Sequence, residues 1–252
     1  MHAPTVTVGL LLLIMFVLWL LTRKQRPPPS LHEYEVLEIP DLLTTAECDA
    51  LVAAALERGL VPSEVLGATG ERTLDLTHRT SEQTWYADHE HPVAAHLAEI
   101  TSNLAGTPTT HQEMLQVVRY RAGGQFRDHH DACAHVDPAA CESMNRIGGP
   151  RRATLLVYLN DDFEGGDTVF ERIGARIRPR KGKGVFFWNT DAEDRVLPVR
   201  DPVCLRRGLC GDSLHRGSPV RRGEKWIAAR VAVCDNHTTV RAQQVDACPC
   251  VQ

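Results

Sequence analysis

No Cys-x-x-Cys pair occurs in this 252-residue chain, so the usual spacing of a structural zinc site is missing. Positive charge is not in excess. The formal net charge of −4 gives no reason to expect a nucleic-acid partner, and the Arg- and Lys-rich stretch between Arg172 and Lys183 reads as a solvated surface. No internal repeat is visible. Charge is absent altogether from Thr5 to Leu21, and no small-x-small cleavage site follows that run. An uncleaved membrane anchor is therefore expected in preference to a removable signal peptide.

Leu10 to Leu21 is almost continuously aliphatic, with Phe16 and Trp19 included. The uncharged run is near the short end of what spans a bilayer, about 17 residues. Arg23, Lys24 and Arg26 stop it, and Pro27, Pro28 and Pro29 follow. Beyond this point the chain has ordinary composition for a folded domain, 43% hydrophobic and 24% charged overall. We divide it into residues 1–30 (anchor and Pro-rich juxtamembrane linker), 31–237 (folded domain) and 238–252 (polar tail ending Cys248-Pro249-Cys250).

Two arguments about the anchor's orientation conflict. The flanking positive charges would leave the domain in the cytoplasm. Eight cysteines, several closely spaced, suit an oxidising lumen such as the endoplasmic reticulum or Golgi. Local spacing predicts Cys133–Cys141 and Cys204–Cys210 bridges, with reduced thiols or a zinc site as the alternatives.

Leu31 to Pro40 reads as an extended lead-in strand. Thr44-x-x-Glu47 is a capping box that opens a helix, with Cys48, Leu51, Val52, Ala55 and Leu56 at helical spacing and Gly59 closing it. A second helix is expected from Pro92 to about Leu104, with Val93, Leu97, Ile100 and Leu104 on one stripe. The period then changes. Met114–Tyr120, Ala153–Leu159, Thr168–Glu171, Gly184–Trp188 and Trp226–Cys234 are short β-type runs separated by Gly, Pro, Asn and Asp. Supporting helices followed by many strands predict a mainly β, α+β domain, a double-stranded β-helix or jelly roll, preceded by the transmembrane helix.

The chemistry concentrates in His129-x-Asp131, His215 and Lys225. Two histidines and a carboxylate form the ligand set of a mononuclear non-haem Fe(II) centre with open positions. In a strand, alternate side chains share a face, so His129 and Asp131 would point together and His130 away. A second copy of the pattern, His135-x-Asp137, sits between two cysteines with Pro138 following, and reads as a loop. Lys225 is ordinarily a surface residue beside an apolar strand. One strand from a metal ligand, it can instead meet the far carboxylate of 2-oxoglutarate.

These residues stand among others whose order resembles the prolyl 4-hydroxylase family of Fe(II)/2-oxoglutarate dioxygenases, including its membrane-anchored members. The resemblance runs from about Tyr34 to Val233. It includes Arg79-Thr80-Ser81; Glu113 through Tyr120, then Gly123 and Gln125; Thr154 through Asp161; Gly165 through Phe170; Lys181-Gly182; Phe186 through Asn189; and Ser213 through Trp226. It implies that His129, Asp131 and His215 bind Fe(2+), and that Lys225 pairs with the co-substrate's distal carboxylate while Tyr120 and Thr168 hydrogen-bond to it. It also implies that O2 and 2-oxoglutarate are consumed to give succinate and CO2, that L-ascorbate maintains the iron, and that a proline-containing peptide is hydroxylated. A small residue in place of Asp131 would open a site for halide, so hydroxylation is implied over halogenation.

The departures fall on the substrate side. Phe126 stands where the family usually has tyrosine, and Val231 where it often has tryptophan; Arg151 matches an arginine placed near the peptide groove. A lysine or small-molecule substrate is the first alternative. An inactive membrane-tethered peptide-binding module is the second.

Overall fold

The computed structural model describes residues 36–66, 72–133, 141, 145, 148–190 and 213–234, all within the unit Tyr34–Gln252. The Thr5–Leu21 segment, the second His-x-Asp copy, the polar tail, Cys204 and Cys210 lie outside them. No helix among the described residues is long and apolar enough to cross a membrane.

Helix α1 spans Thr45–Arg58. Its capping box forms as the sequence predicts. The Glu47 backbone N–H donates to Thr44 Oγ1 at 3.2 Å, and the Thr44 N–H donates to the Glu47 carboxylate at 2.8 Å. Cys48, Leu51 and Ala55 face inward, but Leu56 is exposed and does not belong to the buried stripe. Helix α2 spans Pro92–Ala105 and ends on Gly106 in the left-handed region. Its buried face is Val93, Ala94, Leu97, Ala98, Thr101 and Ala105, whereas Ile100 and Leu104 are only half-buried. The helix is thus rotated from the stripe of largest residues. Small side chains let its backbone approach the sheet.

In chain order the strands are β1 (Leu37–Ile39), β2 (Val61–Pro62), β3 (Val65–Leu66), β4 (Arg72–Thr73), β5 (Glu82–Tyr86), β6 (Leu115–Tyr120), β7 (Phe126–His129), β8 (Arg151–Tyr158), β9 (Glu164–Gly165), β10 (Thr168–Phe170), β11 (Ala175–Ile177), β12 (Gly184–Trp188), β13 (His215–Gly217), β14 (Val220–Arg222) and β15 (Lys225–Val233). A seven-stranded sheet has the order β1-β12-β8-β15-β6-β5-β2 and a four-stranded sheet β11-β10-β13-β7. The pairings that build both are antiparallel. Leu156, Tyr158, Val185, Phe187 and Ile227 of the large sheet share one core with Phe170 and Ile177 of the small one. This is the two-sheet arrangement of a jelly roll.

Strand β8 shows why the run Ala153–Leu159 is apolar without alternation. Thr154, Leu156 and Tyr158 face the space between the sheets. Ala153, Leu155 and Val157 face the side where α2 packs on β8 and β15, so both faces are buried.

Three further expectations need correction. Of the lead-in segment, only Leu37–Ile39 is strand among the described residues, and Pro40 begins a turn. The sequence does not predict strand β5, because Gln83 and Thr84, on its two opposite faces, break the apolar pattern. They are polar yet buried, and Gln83 is satisfied by the Gln116 amide across the β5–β6 pair. Most importantly, Asp131 is not on a strand. Strand β7 ends at His129, and Asp131 lies two residues beyond in a bend. Other contacts must therefore aim its carboxylate.

The basic stretch is stitched to acidic neighbours: Arg176 to Asp167, Arg180 to Asp41, Lys181 to Asp49 and Lys183 to Glu38. Such exposed pairs contribute little each.

Candidate active site

His129 and His215 are directly opposite each other in the antiparallel β7–β13 pair, which brings residues 86 positions apart in sequence to one place. Their ring centroids are 4.3 Å apart. Each imidazole is oriented from behind. Nδ1 of His129 bonds to the Arg127 carbonyl at 2.7 Å, and Nδ1 of His215 to the Ser213 carbonyl at 2.8 Å. A carbonyl can only accept, so both Nδ1 atoms carry the proton and both Nε2 lone pairs are available. Those two atoms face Asp131 Oδ1, at 3.5 Å from His129 and 4.0 Å from His215. Two donors about 2.1 Å from one metal ion can be at most about 4.2 Å apart, so both separations fit a shared ion.

The protonation states suit a cation. Burial alone would raise the Asp131 pKa, but His215, His129 and the Thr154 hydroxyl together hold it well below the usual carboxylate range. Burial, with the neighbouring His129, pushes the His215 imidazole down to about 4. At neutral pH Asp131 is a carboxylate and His215 a neutral imidazole, as metal binding requires. Phe187 and Phe170 wall His215, with ring centroids at 4.8 and 5.3 Å.

Lys225 begins β15 directly opposite Tyr120. The residue is 3% exposed, and among the described residues its side chain makes one hydrogen bond, to the Gly166 carbonyl at 2.6 Å. No carboxylate lies within ion-pair reach of it among the described residues. Burial lowers its pKa to about 7, partly offset by Asp167. The Tyr120 and Tyr158 rings lie 5.5 and 5.4 Å from Nζ. A buried cation without a counter-ion is incomplete, and an anionic co-substrate would complete it. The backbone around it is clamped by Asn160, which donates to the Glu224 carbonyl at 2.8 Å and accepts from the Trp226 N–H at 2.7 Å. Gly166 must be glycine: its φ is +69°, and a Cβ there would sit 2.8 Å from the Phe163 ring and 3.0 Å from Cδ of Lys225.

Thr168 lies opposite Gly217 of β13, two residues from His215. Its Oγ1 accepts from the Tyr158 hydroxyl at 2.6 Å, and burial pushes the pKa of that phenol up, so it stays protonated. With Tyr158 donating to it, the Thr168 proton is left for another acceptor. Tyr120 is buried beside Lys225.

The three substrate-side residues are placed as follows. Phe126 stacks on His129 at 3.5 Å with an 18° interplanar angle, and the Arg79 guanidinium covers its ring at 4.7 Å. Arg151 is already paired, its Nη2 donating to Glu113 at 2.9 Å and its Nη1 to the Asp131 carbonyl at 3.3 Å. Val231 is opposite Thr154 across β8–β15, on the same face as the residue that touches Asp131. The Cys133–Cys141 bridge forms two residues beyond Asp131. Cys234 is also disulfide-bonded, and Cys48 is a buried free thiol.

Sequence reasoning assigned no role to Tyr158, Thr154, Asn189 or Asn160. The available signal was a lone hydroxyl inside an aliphatic run (Thr154) and an amide closing an aromatic one (Asn189).

A jelly roll with two histidines, a carboxylate and a buried lysine defines an iron- and 2-oxo-acid-dependent oxygenase. Comparison with known proteins agrees. The model of the 2OG-Fe(II) oxygenase superfamily matches residues 115–231. The chain is 31% identical over 189 residues to a protein named putative prolyl 4-hydroxylase from Acanthamoeba polyphaga mimivirus, covering 75% of this chain and 69% of that one. It is 29% identical over 199 residues to human prolyl 4-hydroxylase subunit alpha-1, covering 77% of this chain but only 33% of the subunit. Among solved structures, the 2OG complex of the viral collagen prolyl hydroxylase from Paramecium Bursaria Chlorella virus-1 matches with a TM-score of 0.57 and 28% identity, over 78% of this chain and 93% of that one. This chain belongs to the prolyl 4-hydroxylase family of 2OG-Fe(II) oxygenases. It is a 2-oxoglutarate-dependent dioxygenase whose cofactors are Fe(2+) and 2-oxoglutarate.

Proposed function

We propose that this enzyme hydroxylates peptidyl proline, with decarboxylation of 2-oxoglutarate to succinate and with ascorbate as supporting reductant. The observation that carries the reading is the convergence of His129, Asp131 and His215 on one point, with Lys225 buried and anion-deficient behind them. Its kinship with proteins named prolyl hydroxylases supports the substrate class.

Iron, when bound, supplies O2 reduction coupled to oxidative decarboxylation of the 2-oxo acid and delivery of one oxygen atom to a substrate C–H bond. The chain's own groups do the rest. His129, Asp131 and His215 would hold the metal through Nε2, Oδ1 and Nε2. Lys225 would anchor the distal carboxylate, with Thr168 and Tyr120 lining the same end. Phe170 and Phe187 keep water from one side of His215, and Phe126 covers His129. The Arg151–Glu113 pair would present a hydrogen-bonding, already neutralised edge to a peptide.

The full chain incubated with Fe(II), ascorbate, 2-oxoglutarate and diverse proline-rich peptides is expected to give a mass gain of one oxygen on proline. 2-Oxoglutarate turnover without hydroxyproline on any peptide would overturn the proline assignment. Phe126 and Val231 favour the second reading, in which the same chemistry meets lysine or a small molecule; hydroxylated lysine or a hydroxylated metabolite would support it.

We further propose a single-pass membrane protein with its domain in the lumen of the endoplasmic reticulum or Golgi. The uncharged run Thr5–Leu21 supports the anchor, and two disulfide-bonded sites support the oxidising side. In sealed microsomes the domain should resist added protease until detergent is present; digestion without detergent would sink the lumenal assignment.

A further inference from the structure

Asp131 sits in a bend outside any strand, so nothing in a sheet ladder aims its carboxylate. Two side chains of the large sheet do so instead. Thr154, on β8, donates from Oγ1 to Asp131 Oδ2 at 2.7 Å. Asn189, immediately after β12, donates from Nδ2 to the same Thr154 Oγ1 at 2.9 Å. The directions follow from valence. An amide Nδ2 can only donate, so Thr154 accepts there, and its single proton must point at Asp131. Oδ2 is thereby occupied, and Oδ1 is the oxygen that faces both histidine Nε2 atoms.

The relay is itself fixed. The Asn189 backbone N–H donates to the Arg152 carbonyl at 2.7 Å, and Thr154 is flanked across the sheet by Phe187 and Val231. Asn189 is fully buried and Thr154 nearly so, which leaves the hydroxyl no competing water.

We propose that Thr154 and Asn189 are positioning residues that restrict Asp131 to one-oxygen metal ligation, acting in series, with Asn189 working only through the Thr154 hydroxyl. One carboxylate oxygen on the metal keeps the remaining positions for a chelating 2-oxo acid and for O2; a carboxylate free to rotate could occupy one of them. The inference rests on the oxygenase reading of the site.

The test is Co(II) affinity of the full-length, metal-free protein, read by titration, with thermal unfolding as the folding control. Thr154→Val, which keeps the shape and removes the hydroxyl, is expected to weaken binding roughly 10- to 100-fold, the usual effect of losing a partner behind a ligand. Thr154→Ser should bind within about threefold of the parent, and Asn189→Ala should lose less than Thr154→Val, since the hydroxyl remains. Adding Asn189→Ala to Thr154→Val should change nothing further, the signature of two groups on one path. Undiminished affinity in Thr154→Val overturns the proposal, as does additive loss in the double variant. If Thr154→Val does not fold, Asn189→Ala decides, and unchanged affinity there overturns it. A parent protein that binds no Co(II) overturns the oxygenase reading as well.

Discussion

Asp131→Ala is expected to reduce 2-oxoglutarate turnover to background and to erase the stabilisation that a bound divalent metal gives the fold. In the parent, Co(II) or Mn(II) at about a hundred times its dissociation constant should stabilise the folded state by about 2.7 kcal/mol. For a domain of roughly 200 residues that is roughly 5–10 °C in Tm. The variant retains two imidazoles with correctly set Nδ1 protons, but it loses the one group that neutralises metal charge. It also strands the Thr154 hydroxyl, whose acceptor is gone, at a cost of about 1–3 kcal/mol. The metal-induced shift in Tm should therefore vanish and the metal-free Tm should fall. Persistence of the metal-dependent shift in Asp131→Ala would show that the metal is held elsewhere.

The same site makes the metal-free protein acid-sensitive. The His215 pKa is about 4 in the fold against 6.5 as the ordinary value. Between those values the unfolded chain binds the proton and the folded chain does not. Stability from this group is thus present above about 6.5 and is lost as pH falls toward 4. The lowered Asp131 pKa acts in the same direction at more acidic pH.

What the sequence made legible was chemistry carried by residue type and order. His129, Asp131, His215 and Lys225 could be selected because the ligand set and the motif ladder are local or regularly ordered, and the fold brings them together across β7–β13 and β15–β6. Helix caps were readable for the same reason: Thr44 and Glu47 are three residues apart and satisfy each other. What stayed hidden was long-range. Strand β5 looks polar in isolation, and only its β6 partner explains why Gln83 is buried. Helix α2 packs through alanines, so a search for the largest apolar residues misplaced its inner face. The alternation argument put Asp131 in β7, whereas the strand stops at His129 and residues 35 apart, Thr154 and Asn189, orient the carboxylate. Polar partners that meet only after sheets assemble leave no periodic trace.

Lys225→Met is the substitution with the opposite pair of effects, destroying co-substrate binding while stabilising the empty protein. The ammonium is buried with one carbonyl for company, and its pKa of about 7 lies below the ordinary 10.5. Between these values the unfolded chain carries more protons, so stability rises with pH across that window; below about 7 the full penalty of a buried charge is in place. Methionine fills the same stem volume without the charge. The metal-free variant should melt higher than the parent at pH 6.5, with the difference shrinking toward pH 10. 2-Oxoglutarate pays the opposite way. A buried charge-assisted contact is worth about 2–4 kcal/mol, so its loss should raise the Kd roughly 30- to 900-fold. In the parent at pH 8 most lysine is neutral before binding and charged after it. Binding should then take up close to a full proton, seen as a buffer-dependent heat in calorimetry, and affinity should fall roughly tenfold per pH unit above about 7 until the lysine's pKa in the complex is passed. Unchanged 2-oxoglutarate affinity in Lys225→Met would mean that the distal carboxylate is held by another group. Proton-neutral binding by the parent would mean that Lys225 is already charged in the empty site, with its pKa not depressed by folding, and the Tm advantage of methionine at pH 6.5 should then be absent.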